Sequence, residues 1–103
     1  MLAQPGATLD PMGDRGAVAV APNGEAALAM RVPPAPSGKT YEAWVIRGGK
    51  ATPAGTFQGS DGTTDVEVEG HVPRGSVVAV TVERAGGVSH PTQKPLAATG
   101  AVS

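Results

Sequence analysis

The chain of 103 residues has room for one domain, and twenty-five of those residues are glycine or proline, which disfavours long helices. The formal net charge is −1 with both signs interspersed, so no surface for nucleic acid or an anionic membrane is predicted. The absence of cysteine excludes disulfide scaffolds, thiolate nucleophiles and thiolate metal sites. No apolar run is long enough to span a membrane, and the first ten residues lack a signal-peptide pattern. We expect a soluble single domain.

Short segments of alternating apolar and polar residues, separated by Gly, Pro, Asn and Asp, are typical of antiparallel strands. About seven strands are predicted, at residues 16–21, 25–32, 39–47, 51–57, 63–69 and 76–84, with a last short strand within 95–100. Turn signals at this spacing favour an all-β fold, a two-sheet antiparallel β-sandwich of immunoglobulin-like, Greek-key type. We expect a flexible N-terminal lead at 1–15, the sandwich at 16–100 and a C-terminal tail at 101–103.

The strand at 39–47 has apolar residues on both faces, which predicts a central strand covered on both sides. We expect Trp44, the single tryptophan, to anchor the core between the sheets. Pro53 and Gly55 predict an edge or bulged position for the following strand. The longest segment without periodicity is 85–94, where Gly86 and Gly87, followed by Pro91 and Pro95, predict a loop of special backbone geometry at both ends.

The candidate chemical groups do not form a recognisable active-site motif. The two histidines have no metal-ligand spacing, so exposed loop positions are predicted and no metal is expected. Neither candidate serine lies in a nucleophile-elbow motif, so the sequence offers no motif for a hydrolase. Glu42 and Glu83 form a possible acid–base pair, but separate hydrogen bonds or solvation explain them better. The residues weighed for metal binding or hydrolysis are His71, His90, Ser76, Ser89, Asp61 and Asp65.

Two segments resemble the C-terminal domain of anti-sigma-K factors. Residues 41–57 resemble its Tyr-x-x-Trp and Ala-Gly-x-Phe pattern, and residues 80–92 resemble its Val-Thr-x-Glu-Pro-x-Gly-Gly-x-x-x-Pro-Thr signature, with Arg84 where that pattern has proline. The resemblance covers about residues 16–100. It implies a structural role for the matching residues, which are Tyr41, Glu42, Trp44, Ala54, Gly55, Phe57, Val80, Thr81, Glu83, Gly86, Gly87, Pro91 and Thr92.

Proteins of this family join a cytoplasmic sigma-factor-binding segment, one transmembrane helix and an outer domain. The resemblance therefore implies a non-enzymatic outer domain, without cofactor, on the extracytoplasmic side of a bacterial membrane. In that role it controls proteolytic release of an extracytoplasmic-function sigma factor. Its expected partners are a protease or signal protein and, through the parent protein's missing cytoplasmic segment, the sigma factor. The alternative that the residues leave open is a free-standing secreted β-sandwich that binds carbohydrate or protein.

Overall fold

The structure, a computed structural model, describes residues 6–102 and consists of two antiparallel sheets that enclose one core. The first sheet has the order β1-β2-β3-β6 and the second has the order β5-β4-β7-β8. The prediction of an all-β fold with two antiparallel sheets is confirmed. The strands are β1 (Thr8–Pro11), β2 (Gly16–Val20), β3 (Ala26–Arg31), β4 (Lys39–Arg47), β5 (Lys50–Phe57), β6 (Thr63–Val68), β7 (Val77–Arg84) and β8 (Ala97–Ala98), with a 3-10 helix at Gly13–Arg15.

Strand β1 has no counterpart among the predicted strands, because four residues that end in proline are too short to show an alternating pattern. It lies within the segment expected to be a flexible lead, yet it pairs with β2, with Leu9 opposite Ala19. Met12 follows β1 and is buried in the core. At the other end, the Val102 N–H donates to the Ser76 carbonyl oxygen at 2.8 Å, so the expected tail is also attached to the sandwich. The rest of the lead (1–5) and Ser103 lie outside the described residues.

The core between the sheets follows the period-two alternation of the strands. Leu28 and Met30 of β3 point inward. From the second sheet, Tyr41 and Ala43 of β4 meet them, and Val80 of β7 lies beside these residues. Valine and alanine make up most of the remaining core, which includes Val18, Val20, Ala26, Val32, Val45, Ala54, Phe57, Val68, Val72, Val78, Ala97 and Val102.

Strand β5 is an edge strand with a bulge, which confirms the prediction from its proline and glycine. Glu42 pairs with Thr56 and Trp44 pairs with Pro53, so two residues of β5 lie opposite Ala43 alone. One of the two is Gly55, whose φ of +119° favours glycine. The extra residue allows Ala54 and Phe57, three positions apart, both to join the core.

Trp44 requires a correction, because it is fully buried but does not lie in the core between the sheets. Its neighbours Ala43 and Val45 point into that core. Alternation therefore directs the indole to the outer face of the second sheet. Parity along the strand predicts two opposite faces but not which of them meets the other sheet, so the prediction that Trp44 lies between the sheets is wrong. Within residues 6–102, no helix has the length and apolar character needed to cross a bilayer.

Candidate functional site

The outer face of the second sheet is buried although no strand layer formed by residues 6–102 covers it. Six side chains of β4 and β7 lie on this face, opposite in direction to the core residues of the same strands. Thr40, Glu42 and Trp44 come from β4, and each is at most 3% exposed. The facing residues of β7 are Glu83, Thr81 and Ala79, and each is 1% exposed. A buried sheet face that carries two carboxylates requires hydrogen-bond donors, because an unpaired buried charge is strongly destabilising.

A hydrogen-bonded chain crosses this face from the indole to a carboxylate. Trp44 Nε1 donates to Thr81 Oγ1 at 2.9 Å. The Thr81 hydroxyl in turn donates to Glu83 Oε2 at 2.6 Å. One hydroxyl thus satisfies the buried indole N–H and one carboxylate oxygen. Residues 81 and 83 lie two apart on β7, so the strand itself places both side chains on one face.

The Glu83 carboxylate also holds the loop that follows β7. The Thr92 backbone N–H donates to Glu83 Oε2 at 3.2 Å. The Thr92 hydroxyl donates to the other oxygen, Glu83 Oε1. Together with Thr81, one carboxylate accepts three hydrogen bonds, two of them from a residue nine positions later in the chain. Glu83 therefore fixes the far half of the loop to the sheet.

Glu42 holds the near half of the same loop. The Val88 backbone N–H donates to Glu42 Oε1 at 2.8 Å. Gly87 precedes it with a φ of +83°, and a Cβ atom at this position would lie 3.2 Å from both Glu42 carboxylate oxygens and 3.0 Å from Thr56 Cγ2. Glycine thus permits both the backbone conformation and the close approach of the loop to the carboxylate.

We call residues 85–96 the covering loop. Backbone hydrogen bonds fix its two ends, from the Ala85 N–H to the Gly38 carbonyl at 2.9 Å and from the Leu96 N–H to the Val80 carbonyl at 2.8 Å. The Gly87 N–H donates to the Arg84 carbonyl at 3.0 Å and closes the first turn, although Arg84 replaces the proline of the family pattern. Between these ends, the described attachments to the outer face are those to the two glutamates.

The two carboxylates differ in pKa because their surroundings differ. Burial raises the pKa of Glu42 above its ordinary value of 4.5, the charge of Glu83 adds to this, and the Val88 N–H opposes it. Burial also acts upward on Glu83, but the hydrogen bonds from Thr81 and Thr92, together with the positive charge of Lys39, leave its pKa below 4.5. Glu83 therefore stays ionised to a lower pH than Glu42, which takes up a proton more readily.

The remaining family-pattern residues lie in the core or in the covering loop. Tyr41 stacks on Phe57 with ring centroids 5.3 Å apart, and its hydroxyl donates to the Pro33 carbonyl at 2.7 Å. Ala54 and Val80 are core residues. Gly86 has a φ of +93° in the first turn of the loop, and Pro91 directly precedes Thr92. The pattern thus comprises a core part and a part that fastens the loop.

The residues weighed for metal binding or hydrolysis are not brought together as a site. His71 and His90 are exposed in loops, and they line different cavities. His71 Nδ1 lies 3.1 Å from the Asn23 carbonyl oxygen, and His90 Nδ1 lies 3.3 Å from the hydroxyl of its neighbour Ser89. Among residues 6–102, no group of three or more potential metal-ligating side chains is found. Of the remaining candidates, Ser76 is buried and donates to the Pro73 carbonyl oxygen, and Asp61 and Asp65 are exposed.

Two of the hydrogen bonds described above, one in the site and one on the core side of β4, have no signal in the sequence. The Val88 N–H is a backbone donor, so its side chain carries no trace of the bond to Glu42. The Pro33 carbonyl is likewise a backbone acceptor for Tyr41. The Thr-x-Glu spacing at residues 81–83 is a usable signal, because it places a hydroxyl and a carboxylate side by side on a strand otherwise rich in valine.

Comparison with known proteins gives two matches. A family model described as "Anti-sigma-K factor rskA, C-terminal" matches residues 1–102. An uncharacterized protein in the phr 5′ region of Streptomyces griseus is 39% identical over 70 residues, which cover 68% of this chain and 29% of that protein. The chain thus spans less than a third of the length of this relative. No solved structure matches the chain.

Proposed function

The chain belongs to the C-terminal family of anti-sigma-K factors, which confirms the resemblance, and from this premise we propose that it is a non-catalytic regulatory domain of a membrane-anchored anti-sigma factor. In this proposal the domain lies on the extracytoplasmic side of the membrane. It controls proteolytic release of a sigma factor that another segment of the parent protein binds. Anti-sigma factors are in general regulatory and non-enzymatic, which supports the first part of the proposal.

The observation that carries the regulatory role is the covering loop, which two buried glutamates hold against the outer face. Between its two backbone-bonded ends, this segment of twelve residues is held by the side chains of two glutamates. Such a segment is suited to local opening, at a smaller free energy than global unfolding. Opening exposes the carboxylates of Glu42 and Glu83 and an irregular stretch of chain. Proteolysis follows the population of such an open form when closing is fast. The loop is thus the element through which a signal would alter cleavage of the parent protein.

The topology supports the finer prediction of an immunoglobulin-like Greek key. The chain crosses between the sheets from β3 to β4, from β5 to β6 and from β6 to β7, while β4-β5 and β7-β8 stay within the second sheet. For the alternative of a carbohydrate-binding module, exposed aromatic rings would supply the usual stacking surface. Trp44, Tyr41 and Phe57 are at most 9% exposed, so the geometry favours the regulatory role.

The test is basal release of the sigma factor from the full-length parent protein in cells, measured with a sigma-dependent reporter and an immunoblot of the parent's fragments. Glu83→Gln weakens the fastening of the covering loop, so we expect increased cleavage and higher reporter activity. The control is Val18→Ala, which lowers global stability from the first sheet without touching the loop. It should leave basal release near the wild-type level.

Two results would contradict the proposal. The first is unchanged release from Glu83→Gln although amide exchange shows that its loop opens more often. The second is equal release from the loop and core variants at equal loss of stability, which would assign cleavage to global unfolding rather than to the loop.

A further inference from the structure

Strand β6 ends the first sheet and is paired on one side only. Its six residues pair with β3, from Ala26 opposite Val68 to Arg31 opposite Thr63. No strand of the described part of the chain lies on its other side. In an antiparallel strand, every second residue directs its N–H and C=O away from the neighbour. One backbone bond beyond the end of β6, from the Glu69 N–H to the Ala54 carbonyl at 3.0 Å, ties the chain to β5 and leaves the preceding edge open.

The outward face of this edge is acidic. Asp65 and Glu67 point away from the core on either side of the half-buried Val66, and both are exposed. Directly opposite them on β3 are Ala29 and Ala27, so the neighbouring strand provides no cation at these positions. Opposite charges on facing strands stabilise a pair, and no residue directly opposite Asp65 or Glu67 supplies this interaction.

A groove of about 700 Å³ is lined by residues of β6, of β3 and of the turn that joins β2 to β3. Four carboxylates line it, whereas the net charge of the whole chain is only −1, so negative charge is concentrated here. Its apolar lining includes Ala27 and Val66. The four acidic residues are Glu25, Asp65, Glu67 and Glu69.

We propose that the free edge of β6 binds an extended, cationic segment of a partner protein, which adds to the first sheet as a further strand. Its backbone pairs with the outward N–H and C=O groups of β6. Alternate lysine or arginine side chains lie opposite Asp65 and Glu67, and the intervening small apolar side chains face Val66. This interaction goes beyond the regulation proposed above, because it requires neither the covering loop nor the parent protein.

The charge pattern distinguishes this partner from a second copy of the chain. Two copies paired through β6 would bring Asp65 and Glu67 of each chain against the same acidic face of the other. Like charges on facing strands destabilise such a pair. The carboxylates thus oppose self-association at an otherwise open edge, and they favour a strand of opposite charge.

The test uses the chain itself, labelled with ¹⁵N, and a seven-residue capped peptide in which lysine alternates with threonine and valine. We expect saturable binding, slower exchange of the outward amides of β6, and unchanged exchange in β1. Binding should weaken as salt is added. Glu67→Gln should weaken the affinity roughly two- to five-fold by removing one cross-strand ion pair. The matched control Asp14→Asn, an exposed residue of the 3-10 helix, should leave the affinity unchanged.

Three results would overturn the proposal. Equal binding of a peptide with glutamate in place of lysine would exclude charge recognition. Binding without slower exchange in β6 would show contact with an acidic surface rather than strand addition. A dimer in analytical ultracentrifugation that Thr64→Pro in β6 disrupts, while Ala7→Pro outside β1 does not, would make a second copy the occupant of this edge.

Discussion

At the scale of single residues, the Thr81 hydroxyl makes hydrogen bonds to two buried groups at once. It accepts the indole N–H of Trp44 and donates to Glu83, so two buried groups depend on one oxygen atom. Removal of such an atom leaves its partners unsatisfied in a place that water does not reach. The neighbouring bond from the Val88 N–H to Glu42 follows the same principle with a backbone donor.

Substitution of Thr81 measures this dependence. Thr81→Val keeps the β-branched shape and removes the hydroxyl, so we expect a loss of about 1–3 kcal/mol in the free energy of unfolding. The control is Thr52→Val on the exposed face of β5, which should change stability by less than about 0.5 kcal/mol. Urea denaturation followed by far-UV circular dichroism gives both values. Equal stabilities of the two variants would show that the Trp44–Thr81–Glu83 chain contributes nothing.

At the scale of elements, the covering loop and β7 form one unit, although only β7 has regular secondary structure. Gly86 and Gly87 begin the loop with positive φ angles of 93° and 83°. Their surroundings differ, because a Cβ atom at position 86 would meet nothing within 4 Å, whereas one at position 87 would press against Glu42 and Thr56. Gly86 is thus required only for its backbone conformation, whereas Gly87 is required for its backbone conformation and for close packing.

A matched pair of alanine substitutions tests this distinction. Gly86→Ala and Gly87→Ala both place a side chain in left-handed backbone, at a cost of about 1–2 kcal/mol. Gly87→Ala should cost more, because the added methyl group moves the loop away from the Glu42 carboxylate. The exchange rate of the Val88 amide, measured by NMR, should therefore rise more in Gly87→Ala than in Gly86→Ala. The same rate in both variants would mean that the loop is not held by the contact with Glu42.

At the scale of the whole molecule, the second sheet is the central layer, with the core on one face and the covering loop on the other. The two glutamates under the loop give stability an opposite dependence on pH. Because the folded pKa of Glu83 is lowered, its contribution is present above pH 4.5 and is lost as the pH falls through that folded pKa. Because the folded pKa of Glu42 is raised, its contribution is present below pH 4.5 and is lost as the pH rises through that folded pKa.

Single glutamine variants separate the two contributions. We expect Glu42→Gln to gain stability relative to the wild type as the pH rises from about 4 to 7, because the buried charge is absent and the amide oxygen still accepts from Val88. Glu83→Gln should lose stability relative to the wild type as the pH rises from about 3 to 5. Urea midpoints across this range, with Asp61→Asn as an exposed control, measure both trends. Curves for the two variants that run parallel to each other would contradict the assignment.

Much of the architecture follows from the sequence because it depends on local rules. Alternation accounts for the shared direction of Leu28 and Met30 on β3, and the Pro53–Gly55 region predicts the bulged edge strand. Strand β1 escapes this rule, because four residues pair with β2 without a pattern of their own. Pairing with β2, the next strand in the chain, fixes the place of β1.

What the sequence by itself determines is the set of faces within each strand: Glu42 and Trp44 must share one side of β4, and Thr81 and Glu83 one side of β7, because side chains in a strand alternate. Only the tertiary structure decides that these sides meet on one face of the sheet, directed away from the other sheet and under the loop. The reason is that two of the three hydrogen bonds from the loop to the carboxylates are made by the Val88 and Thr92 backbone N–H groups, which every residue except proline carries. A donor that is common to nearly all residues leaves no mark in the sequence until the fold places it against a buried carboxylate.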